Sequence, residues 1–153
     1  SDVIMLGSII LPAIVIPQGD ASHHIGEIVF ITAETYLLTL GTTMLTKTLV
    51  KRTRPLVYNE NVPLSEKLKT DARMSFFSGH TSFTATSAFY TAQMMQLNPE
   101  NKKIMPYIWT SAAILPAITG LMRWKAGKHF PTDIFIGYMV GLGIGLLIPQ
   151  IHQ

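Results

Sequence analysis

Five long apolar runs, at residues 3–16, 28–46, 82–97, 105–121 and 132–148, divide this 153-residue chain. None alternates apolar and polar residues with period two, and each is longer than the roughly five or six residues of an ordinary strand. The runs read as helices, and the chain as all-α: a single helical bundle of about five main helices. Turn formers punctuate it where helices should stop. Pro17, Gln18, Gly19 and Asp20 follow the first run, Asn98 and Pro99 break the third, and Pro131 opens the fifth. Pro116 lies inside the fourth run and predicts a kink.

At roughly 14 to 19 residues, the runs fall at or just below the ~20 that carry a helix across ~30 Å of hydrocarbon. Length alone leaves a membrane span and a buried core helix both open. Gly137 and Gly141 form a GxxxG pair in the fifth run, which favours membrane packing. Glu34 and the threonines of the second run point to a face packed against protein.

Composition leans toward the membrane. Charged residues make up 14%, against about 25% in a typical soluble domain, and mean hydropathy is +0.31. The net charge is +3, and its cations are bunched: Lys47, Lys51, Arg52 and Arg54 in one cluster, Arg123, Lys125 and Lys128 in another. Such bunching suits phosphates or lipid head groups; no nucleic-acid partner is expected. With no cysteine, a disulfide framework and a zinc–thiolate site are both excluded. The first residue is Ser1, so the sequence is expected to be a processed or truncated product, with one domain over residues 1–153. Its apolar start has no basic region ahead of it and does not read as a signal peptide.

Up-and-down packing of the helices brings four of their ends together. The end of the second, the start of the third, the end of the fourth and the start of the fifth share one end of the bundle. That end receives "KTLVKRTRP" (47–55), "SGH" (78–80) and "RWKAGKHFPTD" (123–133). The connection at 98–104 lies opposite, with Lys102 and Lys103. The asymmetry matches a positive-inside signature, but cations that bind phosphate give the same count, so orientation does not follow from it. Residues 55–75 form the one long polar connection, with a short helix expected near 65–69 and a place for it beside the site.

Each segment alone has a plain structural reading. Ser78 caps a helix whose unpaired N–H groups favour an anion, and His80 is then an ordinary first-turn residue. Lys47 and Arg54 meet if the chain leaves the helix between them, giving a point charge and a planar fork for phosphate oxygens. Otherwise they form a solvated basic terminus, the reading given to Lys51 and Arg52. His129 and Asp133 stand four apart at a helix entry, where the carboxylate can hold one ring nitrogen and leave the other as nucleophile or base. His23 and His24 are assigned to loop, and His152 to no chemical role. No ligand spacing such as HExxH is present, and no metal is expected.

Together the three segments resemble the type 2 phosphatidic acid phosphatase superfamily, whose pattern is KxxxxxxRP, PSGH, then SRxxxxxHxxxD. Here it reads "KTLVKRTRP", "FSGH" and "MRWKAGKHFPTD", in matching order and internal spacing, with Phe77 in place of the proline and Met122 in place of the serine. The resemblance implies a phosphatase with no metal or other cofactor. His129 would be the nucleophile that forms a phosphohistidine, Asp133 its orienting partner, and His80 the acid and then the base. Lys47, Arg54, Ser78, Gly79 and Arg123 would hold the phosphoryl oxygens. The apolar helices make a lipid phosphate monoester or diphosphate the expected substrate, membrane lipids the expected surroundings, and the cell membrane with an extracytoplasmic site the expected location. Lys125 and Lys128 keep a surface role. Three rivals remain: a soluble periplasmic acid phosphatase of the same superfamily, a vanadium-dependent haloperoxidase, and a non-catalytic protein holding anionic lipids.

Overall fold

The computed structural model describes residues 1–15 and 25–152. Six α-helices form there: α1 (Asp2–Val15), α2 (Ile25–Val50), α3 (Leu64–Lys67), α4 (Gly79–Gln96), α5 (Met105–Lys125) and α6 (Pro131–Ile151). Short 3-10 turns at Pro55–Tyr58, Thr70–Arg73 and Pro99–Lys103 complete the order, and no strand occurs among the described residues. The five apolar runs correspond to α1, α2, α4, α5 and α6, and the short helix of the polar connection is α3. The turn at Pro17–Asp20 and the loop assignment of His23 and His24 lie outside the described residues.

Helices α2, α5 and α6 are longer than their apolar runs. α2 has 26 residues, and α5 and α6 have 21 each, because backbone hydrogen bonding continues through Thr46, Lys47, Arg123 and Lys125 after the apolar pattern stops. Three segments, Ile25–Tyr58, Met105–Lys125 and Pro131–Ile151, contain helices long and apolar enough to cross a membrane. Their outer faces carry exposed Leu37, Leu45, Leu49, Phe135 and Leu147.

Helix α4 is the axis of the bundle and packs against α1, α2, α5 and α6. Most of its inward residues are small: Thr81, Ser82, Thr84, Ala85, Thr86, Ser87, Ala88 and Ala92 are buried beside the larger Phe89 and Tyr90. Small side chains let neighbouring backbones approach closely, and α6 answers with glycines four apart. A Cβ at Gly137 would lie 2.6 Å from the Ser78 carbonyl oxygen, one at Gly145 2.6 Å from that of Thr86, and one at Gly141 would overlap that of Ser82. The GxxxG pair therefore extends by one further turn, while Gly143 faces open space. Pro116 is buried within an uninterrupted α5.

A seam of hydroxyls joins α4 to α2. Thr39 meets Thr86 at 3.0 Å, Tyr36 donates to Ser87 at 3.0 Å, and Thr32 meets Tyr90 at 2.6 Å. Thr35 and Thr39 also bond the carbonyls one turn back, so these buried hydroxyls are satisfied. The threonines of α2 thus face protein, but Glu34 does not share their burial. It stands partly exposed and pairs with His152 at 2.7 Å, tying the end of α6 to α2.

Candidate active site

The loop between α5 and α6 sets the site's geometry. Gly127 adopts a φ of +64°, the left-handed conformation that ends helices with least strain. Its N–H bonds the Trp124 carbonyl, and that of Lys128 bonds the Arg123 carbonyl. Pro131 then starts α6, and the Asp133 carboxylate accepts the Phe130 N–H at 2.9 Å, capping the first turn. The reversal leaves Arg123, on the last turns of α5, and His129, just before α6, both buried.

Helix α2 ends at Val50, with Lys51 in a left-handed conformation. Residues 52–54 then run alongside residues 72–75: the Arg54 N–H bonds the Ala72 carbonyl and the Ser75 N–H bonds the Arg52 carbonyl, each at 2.9 Å. Lys47 remains on α2 and Arg54 lies past its end, the departure from helix that lets both stand at the same end of the bundle. Ser78 caps α4, sharing hydrogen bonds with the Thr81 hydroxyl at 2.9 Å and its N–H at 3.4 Å. Its own N–H bonds the Asp133 carbonyl at 3.0 Å, joining the starts of α4 and α6. Gly79 lies against Thr43 and Lys47.

His129 is 1% exposed. Its Nδ1 lies 2.7 Å from the Ser75 backbone carbonyl oxygen and 3.8 Å from Oδ2 of Asp133. A carbonyl only accepts, so Nδ1 carries the proton and Nε2 keeps its lone pair. The direct partner of the imidazole is therefore Ser75; the expected bond from Asp133 is replaced by a contact one step removed. Burial pushes the His129 pKa down; Asp133 opposes the shift, and the positive charges of Arg54, Lys47 and Arg123 reinforce it.

Asp133 is fully buried and multiply held. It accepts from Arg52 Nη1 at 2.6 Å, the Ser75 hydroxyl at 2.5 Å and the Phe130 N–H. Arg52 also donates to the Thr132 hydroxyl at 2.8 Å and lies 4.2 Å above the Phe130 ring. The solvated reading of Arg52 is thus corrected: the chain's turn after α2 brings its guanidinium to the buried carboxylate. Lys51 stays exposed.

The cations are held from outside. Lys47 Nζ donates to the Met74 carbonyl at 2.9 Å, and Arg54 Nη2 pairs with Asp71 at 2.6 Å. Arg123 Nη1 lies 3.4 Å from the Ser1 hydroxyl and 3.6 Å from Asp2. The buried Nε atoms of Arg54 and Arg123 have no hydrogen-bond partner among the described residues, an arrangement that calls for an anion. His80 Nε2 lies 2.8 Å from Asp2 Oδ1. Burial, with the charge of Arg123 next, pushes its pKa down to about 4.

All eight residues singled out in the sequence stand at this end, while Arg52, Ser75 and Asp71 join them without having been foreseen. "KRTRP" marks Arg52 only as one of several cations, and a backbone carbonyl such as that of Ser75 leaves no sequence signal. Phe77 is buried after a cis peptide bond, and Met122 is exposed. Among the described residues, no three His, Asp or Glu side chains gather into a set able to hold a metal.

The model of the PAP2 superfamily matches residues 28–153. Rat phospholipid phosphatase 1 is 26% identical over 87 residues, 55% of this chain and 31% of that protein. Human phospholipid phosphatase-related protein type 4 is 31% identical over 78 residues, 50% of this chain and 10% of that protein. The chain thus spans a third or less of the length of these curated relatives. The crystal structure of a transmembrane PAP2-type phosphatidylglycerolphosphate phosphatase from Bacillus subtilis shares the fold, with a TM-score of 0.58 and 24% identity over 99% of this chain and 76% of that one.

Proposed function

Because the chain belongs to the PAP2 superfamily, we propose that it is a membrane-seated phosphatase hydrolysing a lipid phosphate monoester or diphosphate through a phosphohistidine at His129. The observation that carries this reading is the buried His129, with Nδ1 bonded to a carbonyl and Nε2 free, within reach of the charges of Lys47, Arg54 and Arg123. Residues 1–153 act as one domain, and its site end faces the extracytoplasmic side.

In the first step Nε2 of His129 attacks phosphorus, the P–N bond forms, and the bond to the leaving oxygen breaks as His80 protonates that oxygen. In the second, His80 takes a proton from water, the water oxygen attacks phosphorus, and the P–N bond breaks to release phosphate. Lys47, Arg54, Arg123, the Ser78 hydroxyl and the Gly79 N–H hold the three phosphoryl oxygens and stabilise the charge that develops. Asp133 steadies the cationic imidazole through Ser75 and across 3.8 Å. His80 must be protonated to act first as an acid. Burial and then the charge of Arg123 hold its pKa down, and a bound phosphate dianion offsets the second of these. Asp2 stands where one phosphoryl oxygen would meet His80 and Arg123.

The positive charge that stabilises the phosphoryl group comes from the side chains themselves, so chelators are expected to leave turnover unchanged. The exposed apolar faces of α2, α5 and α6 favour the membrane over the soluble reading. The test is phosphate release from a panel of lipid phosphates, with and without chelator, by the wild type and by His129→Ala. The proposal fails if the wild type is inactive throughout, if chelation abolishes release, or if the variant keeps full activity.

A further inference from the structure

Beside the site, and meeting its framework at Met74, whose carbonyl holds Lys47, lies a basic pocket of about 420 Å³. Thr48 and Lys51 at the end of α2 form one wall; Lys67, Leu68, Lys69 and Arg73 form much of the other. Lys69 pairs with Glu66 at 2.5 Å, but Lys51, Lys67 and Arg73 have no acidic partner among the described residues. Asp71, on the same connection, is turned to Arg54. Three unneutralised cations around one pocket mark a place for an anion.

The surroundings indicate which anion. The pocket adjoins the end of α2, whose last turns expose Leu45 at 62% and Leu49 at 72%. Across it, α3 and its flank expose Leu64 at 68% and Leu68 at 75%. Leu68 in the pocket's own lining, with exposed leucines on the two elements that flank a cationic pocket at the end of a helix long enough to span, matches the boundary where head groups meet acyl chains. A free phosphate ion would leave the leucines in water.

The connection that forms the pocket also holds the site. Along residues 71–75, Asp71 pairs with Arg54, the Ala72 carbonyl accepts the Arg54 N–H, the Met74 carbonyl accepts Lys47, and Ser75 bonds both His129 and Asp133. Lys67, Leu68, Lys69 and Arg73 from this same connection line the pocket. We propose that the pocket binds the phosphodiester head group of an acidic phospholipid, with acyl chains along Leu45 and Leu49. Binding there steadies residues 70–75 and raises turnover at the neighbouring site. The lipid binding stands apart from the proposed chemistry; its effect on turnover rests on the phosphatase reading.

The experiment places the whole chain in phosphatidylcholine nanodiscs with increasing phosphatidylserine, a phosphodiester that a monoesterase does not consume. Retained phosphatidylserine is counted by native mass spectrometry, and turnover is read with p-nitrophenyl phosphate. The wild type should retain phosphatidylserine over phosphatidylcholine and turn over faster as its fraction rises. Lys51→Gln, Lys67→Gln and Arg73→Gln should each weaken retention about fivefold, and together on the order of a hundredfold. The Lys51→Arg, Lys67→Arg double variant should keep it, which separates lost charge from lost folding. Equal retention by wild type and triple variant overturns the proposal, as does inorganic phosphate displacing the lipid at matched concentration. Selective retention with no turnover of p-nitrophenyl phosphate or of any lipid phosphate in the panel would sink the phosphatase reading and leave the lipid site standing.

Discussion

The Ser75 carbonyl oxygen lies 2.7 Å from Nδ1 of His129, and this one backbone contact decides which imidazole nitrogen keeps its lone pair. Ser75 also donates its hydroxyl to Asp133, so a single residue fixes the ring and positions the carboxylate behind it. The hold extends to Arg52, whose guanidinium closes the other side of Asp133.

Burial lowers the His129 pKa from the ordinary value of 6.5, so the neutral, nucleophilic form should persist into mildly acid solution. NMR titration of its imidazole should give a midpoint below 6.5. A midpoint at or above 6.5 contradicts a desolvated ring. Stability carries the same sign. His80 titrates near 4 when folded and near 6.5 when unfolded, so unfolding takes up a proton between those values. Its contribution is complete above pH 6.5 and is lost as pH falls toward 4.

Arg52→Gln removes the charge facing a fully buried carboxylate. Breaking a buried ion pair costs about 3–5 kcal/mol, but Arg52 is 35% exposed and Asp133 keeps two other donors. A loss of about 1–2 kcal/mol is expected after discounting for solvent. Turnover should fall roughly tenfold with little change in KM, because Arg52 acts through Asp133 rather than on phosphate. An unchanged kcat would show that Asp133 needs no such support.

Asp2 lies against His80 and Arg123, where the proposed mechanism puts a phosphoryl oxygen. Asp2→Asn removes the charge and should lower KM for a small phosphate ester roughly two- to fivefold, the range of an exposed ion pair. A raised KM would mean that Asp2 helps build the site.

Gly141→Ala would drive a methyl group into the Ser82 carbonyl, whereas Gly143→Ala meets nothing. Overpacking of this kind costs about 1–3 kcal/mol. Thermal unfolding in detergent should show the first variant destabilised and the second close to wild type. Equal behaviour would mean that α4 and α6 are not packed backbone to backbone.

Much of this was legible in the sequence, for reasons that also explain what was not. The apolar runs revealed α1, α2, α4, α5 and α6 because buried or lipid-facing helices must be apolar. Their true ends were hidden because Lys47 and Lys125 continue a helix as readily as leucine does. Lys47, His80, Arg123 and His129 were visible as spaced, reactive side chains. Arg52 looked like its neighbours until the left-handed turn at Lys51 aimed it at Asp133. Ser75 was invisible because its part is played largely by a carbonyl that every residue has, and Asp71 because its pairing with Arg54 depends on how residues 70–75 dock.

The most direct test of His129 as nucleophile is to quench turnover of a ³²P-labelled lipid phosphate within milliseconds and map the label on the protein. The account predicts an acid-labile, base-stable phosphoryl group on His129, absent from His129→Ala. An active enzyme with no labelled protein at any quench time, or with label retained in His129→Ala, would contradict it.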